Sequence, residues 1–311
     1  MLWGAFVRIN ISEIVLLLIL LPSLAMAEQP CPLDPDASVP MRIGEADVPT
    51  IPVEINDRKE LLFIDTGAPI SLMSAGYVVE LQLPRKPYPR GLKVMANGTS
   101  PDEVATVDTL SLGALTGHNL KFFIVPSIEL RSTLAGSFGV DFLQSWDVDF
   151  DFSQQKFNLI SPDKCHGNPV YWAKRNYFRV PMLPTDERYL RVSVLLDGKE
   201  LKADLDTGSS ETAMNLELAK RLFGLHEERL PTTAFAPRQE QMALLTGNIY
   251  EHKFRSLDIG GFRIASPTVL LASNLHFGDT DMVIGMSDLR NLHFYVSYRD
   301  QAIYLAPADK R

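Results

Sequence analysis

Clustered positive charge is missing from this sequence. Its 311 residues carry 30 Lys and Arg against 38 Asp and Glu, a formal net charge of −8 at pH 7, and no stretch concentrates the basic residues. Because phosphate binding depends on clustered positive charge, we expect no nucleic-acid partner. The same deficit disfavours binding to anionic membrane surfaces.

Signatures of metal and nucleotide sites are also missing. No Gly-x-Gly-x-x-Gly, P-loop or Gly-x-Ser-x-Gly motif occurs, which disfavours the common dinucleotide, nucleotide and serine-hydrolase classes. The histidines lack the His-x-x-x-His and Cys/His spacings that are typical of zinc sites. They are His118, His166, His226, His252, His276 and His293. We therefore predict no metal and no cofactor.

Only one long hydrophobic run occurs, at residues 14–21. Arg8 precedes it and Ala25-Met26-Ala27 follows it, which is the order of a secretory signal peptide. We predict that residues 1–27 form such a peptide, cleaved before Glu28. An uncleaved anchor is the alternative, but the run is short for a membrane span. The sequence thus predicts an exported protein, periplasmic or secreted, without a stable membrane anchor after cleavage.

Cysteine is nearly absent as well, since the chain has only Cys31 and Cys165. An exported compartment is oxidising, so these two residues can form a disulfide. That bond would join an N-terminal arm, residues 28–40, to a proline-punctuated connector, residues 161–185. Two unpaired thiols are the alternative.

The chain does contain an internal duplication. Asp65-Thr66-Gly67-Ala68 and Asp206-Thr207-Gly208-Ser209 lie 141 positions apart, and each follows an apolar run. Further matches hold at a slightly larger offset, where Phe138-Gly139 falls on Ile284-Gly285. A chance repeat would not keep register over separated blocks. The sequence therefore predicts two copies, residues 41–160 and 186–307.

Within each copy, short β-branched and aromatic runs alternate with turn residues, which is typical of a mostly β domain. Hairpin turns are predicted at Asn97-Gly98 and Asp197-Gly198. Helices are predicted to be few and short, with the best candidate running from Asn215 to Phe223 and ending at Gly224. We predict an all-β, bilobal fold with pseudo-two-fold symmetry.

The repeated Asp-Thr-Gly turns predict a pair of carboxylates. Two such turns meeting between the copies would place Asp65 and Asp206 close together. Like charges at that separation cannot both ionise, so the pair would share one proton, an effect for which aspartic proteases are the standard case. The protonated member polarises the carbonyl group of the bond to be cleaved, and the ionised member activates a water molecule. No covalent intermediate forms.

The two signatures together resemble the pepsin and retropepsin clan of aspartic proteases. Asp-Thr-Gly-Ala/Ser directly follows a hydrophobic residue in each copy, and a hydrophobic-Gly-x-x-x-Leu pattern follows some 75 residues later. In plan the chain resembles bacterial exported aspartic proteases that carry two retropepsin-like copies in one chain. The resemblance implies a bilobal acid-protease fold and an extended polypeptide substrate between the lobes.

By the same resemblance, each motif residue has a role. Asp65 and Asp206 are the catalytic dyad. Thr66 and Thr207 hydrogen-bond across the lobe interface, and Gly67 and Gly208 shape the turns. The second signature, which passes beside the catalytic loops, is Phe138, Gly139, Ile284 and Gly285.

Two further expectations concern the cleft. Ser209 replaces Ala68 in the second turn, and its hydroxyl is predicted to donate to the Asp206 carboxylate and to favour its ionised form. By resemblance, a hairpin over residues 94–107 covers the cleft. It lacks the aromatic residue found on the covering hairpin of pepsin-like enzymes, and Tyr250 lies in the corresponding part of the second copy.

These observations predict an aspartic endopeptidase that hydrolyses peptide bonds of exported proteins. Because one chain supplies both halves of the site, a monomer is expected. The alternative is a catalytically inactive peptide-binding or scaffolding protein with the same fold, since a fold does not guarantee an activity.

Overall fold

The structure, a computed structural model, describes residues 34–44, 47–88, 101–126, 134–164, 171, 177–186, 189–232, 248–273, 275 and 279–308. The predicted signal peptide, both cysteines of the predicted disulfide and the turn predicted at Asn97-Gly98 lie outside these residues. Within the described ranges, no helix is long and apolar enough to cross a membrane.

The first copy consists mainly of short strands. In chain order they are β1 (Ala37–Pro40), β2 (Arg42–Ile43), β3 (Pro49–Ile55), β4 (Arg58–Ile64), β5 (Leu72–Ser74), β6 (Arg85–Pro87), β7 (Glu103–Leu112), β8 (Leu115–Val125), β9 (Gly136–Phe138), β10 (Asp147–Asp151) and β11 (Lys156–Ile160).

Eight of these strands form the sheet of the first lobe, in the order β2-β3-β4-β9-β5-β8-β7-β6. An additional pairing of β3 with β7 brings the two halves of the sheet together into a barrel-like shape. The alternation of buried and exposed side chains along the strands explains how the core forms. In β3, Ile51, Val53 and Ile55 are buried whereas Glu54 is exposed, so one face of the strand packs inside the lobe.

The second copy repeats this pattern. Its strands, preceded by one strand of the connector, are β12 (Phe178–Pro181), β13 (Arg191–Leu196), β14 (Lys199–Leu205), β15 (Ala213–Asn215), β16 (Ile249–Lys253), β17 (Ser256–Ile259), β18 (Phe262–Ala265), β19 (Thr268–Ala272), β20 (Met282–Ile284), β21 (Leu292–Ser297) and β22 (Ala302–Pro307). The sheet of this lobe has the order β16-β19-β15-β20-β14-β13-β17-β18.

A third sheet is shared by the two copies, with the order β1-β11-β10-β21-β22-β12. Its centre is the antiparallel pair β10 and β21, where Phe150 lies opposite Phe294 and the two rings stack at 4.4 Å. The predicted N-terminal arm supplies β1 and the predicted connector supplies β12, one at each edge. The two lobes are therefore joined by a sheet whose order is symmetric about its centre, as the internal duplication requires.

Helices are short, as predicted. The described residues contain α1 (Ala75–Glu80), α2 (Val140–Leu143), α3 (Leu216–Phe223), α4 (Met286–Leu289) and a 3-10 turn at Glu227–Arg229.

The helix predicted from Asn215 to Phe223 is confirmed as α3. Asn215 Oδ1 accepts a hydrogen bond from the Leu218 N–H at 3.0 Å, which satisfies a first-turn donor. Gly224 ends the helix with φ of 65°, a left-handed conformation that glycine adopts without strain.

The hairpin turn predicted at Asp197-Gly198 is also confirmed. It joins β13 to β14, and both turn residues have positive φ, 48° and 80°. The Asp197 side chain fixes the turn to the next strand, because its Oδ1 accepts from the N–H groups of Arg255 and Ser256 at 2.7 and 2.9 Å. The predicted all-β architecture with an internal duplication is thus confirmed.

Candidate active site

The two Asp-Thr-Gly turns follow equivalent strands, β4 and β14. Each turn is held beside the strand that carries the second signature. Asp65 N–H donates to the Phe138 carbonyl at 2.9 Å, and Asp206 N–H donates to the Ile284 carbonyl at 3.0 Å. Strands β9 and β20 run parallel to β4 and β14, so each turn emerges at the same edge of its lobe. The duplicated arrangement therefore places the two aspartates at the interface between the lobes.

Thr66 and Thr207 cross-connect the two turns by four hydrogen bonds. Each threonine N–H donates to the hydroxyl of the other, at 3.1 and 2.9 Å. Each hydroxyl donates in turn to a carbonyl group of the opposite lobe, Thr66 to Leu205 and Thr207 to Ile64, both at 2.7 Å. Both side chains are fully buried. The threonines thus fix the relative position of the two turns.

Gly67 and Gly208 are needed for space. A Cβ atom on Gly67 would lie 2.3 Å from Asp206 Cγ, and a Cβ atom on Gly208 would lie 2.4 Å from Asp65 Oδ1. Each glycine therefore packs directly against the carboxyl group of the other lobe. Each also donates its N–H to the aspartate of its own turn, at 3.0 Å for Asp65 and 2.7 Å for Asp206.

The two aspartates hydrogen-bond to each other through their carboxyl groups. Both residues are half-buried, so one side of the pair stays open. Burial raises the pKa of both carboxyls, and the negative charge of Asp206 raises the pKa of Asp65 further. Hydrogen bonding to Asp65 and to the backbone N–H groups of Gly208 and Ser209 works in the opposite direction at Asp206. The geometry thus favours one proton shared between the two carboxyls.

The prediction for the Ser209 hydroxyl was wrong. Ser209 Oγ donates to the Glu211 carbonyl oxygen at 2.9 Å instead of to the Asp206 carboxylate. The Asp206 carboxylate accepts hydrogen bonds from backbone N–H groups, including that of Ser209. The Ala68 N–H donates to Asp65 in the same way. The serine hydroxyl therefore does not distinguish the two aspartates, because a carbonyl acceptor two residues further along satisfies it.

The second-signature glycines lie against the backbone of the catalytic loops. A Cβ atom on Gly139 would be 2.5 Å from the Ile70 carbonyl carbon, and one on Gly285 would be 2.3 Å from the Glu211 carbonyl oxygen. Both glycines have ordinary φ of −96°, so close approach is what requires them. Phe138 and Ile284 are completely buried one residue earlier.

The sequence reasoning missed two polar clamps that hold these glycines. In the first lobe, Gly139 N–H donates to Ser71 Oγ at 3.0 Å, and Ser71 Oγ donates to Asp141 Oδ1 at 2.7 Å. In the second lobe, Gly285 N–H donates to Thr212 Oγ1 at 3.1 Å, and Thr212 Oγ1 donates to Asp288 Oδ2 at 2.5 Å.

The signal for these clamps was present in the duplication. Ser71 and Thr212 are separated by the same 141 positions as the catalytic motifs, and Asp141 and Asp288 fall within the larger downstream offset. Each clamp ties the third residue after the catalytic turn to the start of a short helix, α2 or α4. The four side chains are therefore positioning residues for the two turns.

We expect Thr212→Val to lower the stability of the second lobe by about 1–3 kcal/mol, because the change leaves the buried Gly285 N–H and the Asp288 carboxylate without this hydroxyl. Burial raises the pKa of Asp288 and the Thr212 hydrogen bond lowers it. The deficit should therefore shrink at acidic pH, where Asp288 is protonated. Urea unfolding at neutral and acidic pH measures both effects. Thr212→Ser, which keeps the hydroxyl, is the control, and a deficit equal in both variants would contradict this role.

The covering hairpin is described only from residue 101 onward. There, β7 pairs with β6, with Glu103 opposite Pro87. Tyr250 is buried in the second lobe, and its hydroxyl donates to Glu227 Oε1 at 2.8 Å. The structure therefore gives Tyr250 a structural contact within its own lobe.

Among the residues that the structure describes, no group of three or more His, Cys, Asp or Glu side chains is arranged to hold a metal ion. His293 is buried in the shared sheet, where its Nε2 lies 2.8 Å from Asp149 Oδ1 and takes part in a polar network with Tyr171.

A two-lobed β fold in which two equivalent turns bring a pair of aspartates together defines the class of the aspartic proteases. The sequence comparisons agree. A family model described as "gag-polyprotein putative aspartyl protease" matches residues 51–145, and a second, described as "Aspartyl protease", matches residues 192–287. The chain belongs to the aspartyl protease family and carries two of its domains in tandem. The predicted relationship to the retropepsin and pepsin clan is confirmed.

Solved structures support the fold. Basic 7S globulin from soybean matches with a TM-score of 0.55 at 10% identity, over 88% of this chain and 98% of that chain. Comparison with curated protein sequences gave no match. At this identity the structural likeness shows the pepsin-like fold alone.

Proposed function

We propose that this protein is an aspartic endopeptidase that hydrolyses peptide bonds by a water molecule activated between Asp65 and Asp206. The observation that carries the proposal is the contact between the two carboxyl groups, each packed against the glycine of the opposite turn. Both carboxyl-bearing residues are partly exposed, so water can reach the pair. The family relationship supports a protease, and the intact dyad supports an active one.

One shared proton gives the two carboxyls different roles, and we place that proton on Asp65. Asp206, ionised, accepts a proton from the water as its oxygen attacks the peptide carbonyl carbon. Asp65, protonated, donates to the carbonyl oxygen, and a tetrahedral gem-diol forms. Transfer of a proton to the peptide nitrogen and cleavage of the C–N bond then release an amine and a carboxylic acid. Both carboxyls return to their starting states, and no bond to the enzyme forms.

The substrate we propose is an extended polypeptide from an exported protein. The dyad lies between two barrel-like lobes, which suits an extended chain running between them. The sequence pattern of residues 1–27 supports export, to the periplasm or outside the cell. We further propose that the protein acts as a monomer, because one chain supplies both turns of the site, and that it takes no cofactor.

The test is cleavage of unfolded polypeptides from about pH 3 to about pH 8, with new termini identified by mass spectrometry. We expect a bell-shaped profile of kcat/KM. Rate is lost at low pH, where both carboxyls are protonated and no base remains, and at high pH, where both are ionised and no acid remains. Peptides that bind without being cleaved at any pH would contradict the protease and support the peptide-binding alternative.

A further inference from the structure

The two lobes differ at one charged position beside the dyad. In the second lobe, Arg191 on β13 lies opposite Asp204 on β14. Asp204 lies on β14 two residues before Asp206, and the Asp206 N–H continues the pairing with β20 at the Ile284 carbonyl, so both side chains point to the same face. In the first lobe the equivalent residues are Thr50 and Phe63, which also lie opposite each other but carry no charge.

Arg191 and Asp204 form a two-pronged ion pair. Arg191 Nε donates to Asp204 Oδ1 at 2.7 Å, and Nη2 donates to Asp204 Oδ2 at 2.9 Å. The side chains are only 5% and 12% exposed. Such paired geometry fixes the position of the carboxylate.

Other charged groups surround this pair. Arg191 Nη1 also donates to Asp279, and Lys202 Nζ lies 3.8 Å from Asp279 Oδ2. The Asp281 carboxylate accepts from the Lys202 N–H at 2.9 Å. The parallel neighbour β20 contributes no charged residue, and Asp65 faces Asp206 across the lobe interface. Asp204 is the charge nearest along the strand to Asp206, and it adds to the rise in the pKa of Asp206 that burial causes.

The fold does not require this ion pair. Buried ion pairs seldom stabilise a protein more than apolar residues of similar size. The first lobe provides the comparison within one molecule, because it builds the same hairpin with Thr50 and Phe63. The Arg191–Asp204 pair therefore calls for a role other than stability.

We propose that Arg191 and Asp204 are positioning residues that keep a fixed negative charge beside Asp206 and so keep the shared proton on the dyad at higher pH. An active dyad must hold one proton. A nearby fixed negative charge opposes loss of that proton, because loss creates a second carboxylate charge. The pair thereby extends the working range toward neutral pH. This inference rests on the proposed function, but its electrostatic part does not.

The test is a pH titration of the purified protein with aspartate carboxyl carbons labelled with ¹³C and followed by NMR, together with the pH profile of kcat/KM. Two residues along a strand correspond to about 7 Å, at which a unit charge shifts a neighbouring pKa by about one unit or more in a protein. For Asp204→Asn we expect the upper pKa of the dyad and the alkaline limb of the profile to fall by about one pH unit.

A second variant separates the ion pair from the charge left on Arg191. Arg191→Gln combined with Asp204→Asn removes both charges and keeps polar side chains of similar length. Because Asp204 is the nearer charge, we expect the upper pKa of the dyad to fall by about half a pH unit in this double variant. This variant also decides the question if Asp204→Asn alone fails to fold. The control is Glu200→Gln, which removes an exposed carboxylate from the same strand and should leave the profile in place, because solvent screens it.

The outcomes separate the two proposals. An unchanged upper pKa in the folded double variant would overturn the role of the pair, whether or not the protein cleaves peptides. A lowered pKa without cleavage in any variant would retain the electrostatic role and contradict the endopeptidase. Lowered stability with an unmoved profile would show that the pair is structural only.

Discussion

Replacing Asp206 with asparagine is expected to lower kcat/KM by about 10³-fold or more, because the change removes the only carboxylate of the pair that can take a proton from water. Asp65→Asn should cause a loss of similar size, since an amide cannot transfer a proton to the carbonyl oxygen. Single-turnover cleavage of one identified peptide measures both. Asp108→Asn, the same change at an exposed position of β7, is the matched control.

This loss should not come from unfolding. Burial raises the pKa of Asp65 well above its ordinary value of 3.8 in the folded protein. Above that value the folded state binds more protons than the unfolded state, so the contribution of Asp65 to stability falls as pH rises. Asparagine removes this dependence, and we expect Asp65→Asn to be at least as stable as the parent at neutral pH. A variant that is inactive and clearly less stable at neutral pH would contradict this account of the dyad.

Local signals explain how much of the fold was predictable. The start and end of α3 followed from Asn215 and Gly224, since a side-chain cap and a left-handed glycine act over a few residues. The Asp197-Gly198 turn was predictable for the same reason. The duplication added what local signals lack, because it placed two equivalent turns at one interface.

The details of the site depended on contacts between distant residues. Ser71 meets Asp141 across 70 positions, and no local pattern marks that bond. The Ser209 hydroxyl donates to the Glu211 carbonyl, and this choice of acceptor depends on the backbone path of the turn. The Arg191–Asp204 pair was predictable in principle. Once the turn at Asp197-Gly198 fixes the hairpin register, counting back along both strands places the two residues opposite each other.

The threonine cross-connection carries the second large prediction. The Thr207 hydroxyl accepts from Thr66 N–H and donates to the Ile64 carbonyl, and both groups are buried at the lobe interface. Thr207→Val keeps the shape of the side chain but leaves the two backbone groups without this partner. At about 1–3 kcal/mol for each unsatisfied group, we expect a loss of about 2–6 kcal/mol. The midpoint of urea unfolding should fall while its slope stays unchanged.

The same variant should lose activity beyond its loss of stability, because the hydroxyl sets the distance between the lobes and hence between the two carboxyls. Thr207→Ser is the control, since it retains both hydrogen bonds and should stay close to the parent in unfolding and in kcat. Thr66→Val should reproduce the Thr207→Val effect from the other side, through the Leu205 carbonyl and Thr207 N–H. If the double valine variant costs much less than the two single changes combined, the four hydrogen bonds act as one unit, and breaking either side already separates the turns. If valine and serine variants behave alike, the hydroxyl groups do not hold the lobes together, and shape alone must position the dyad.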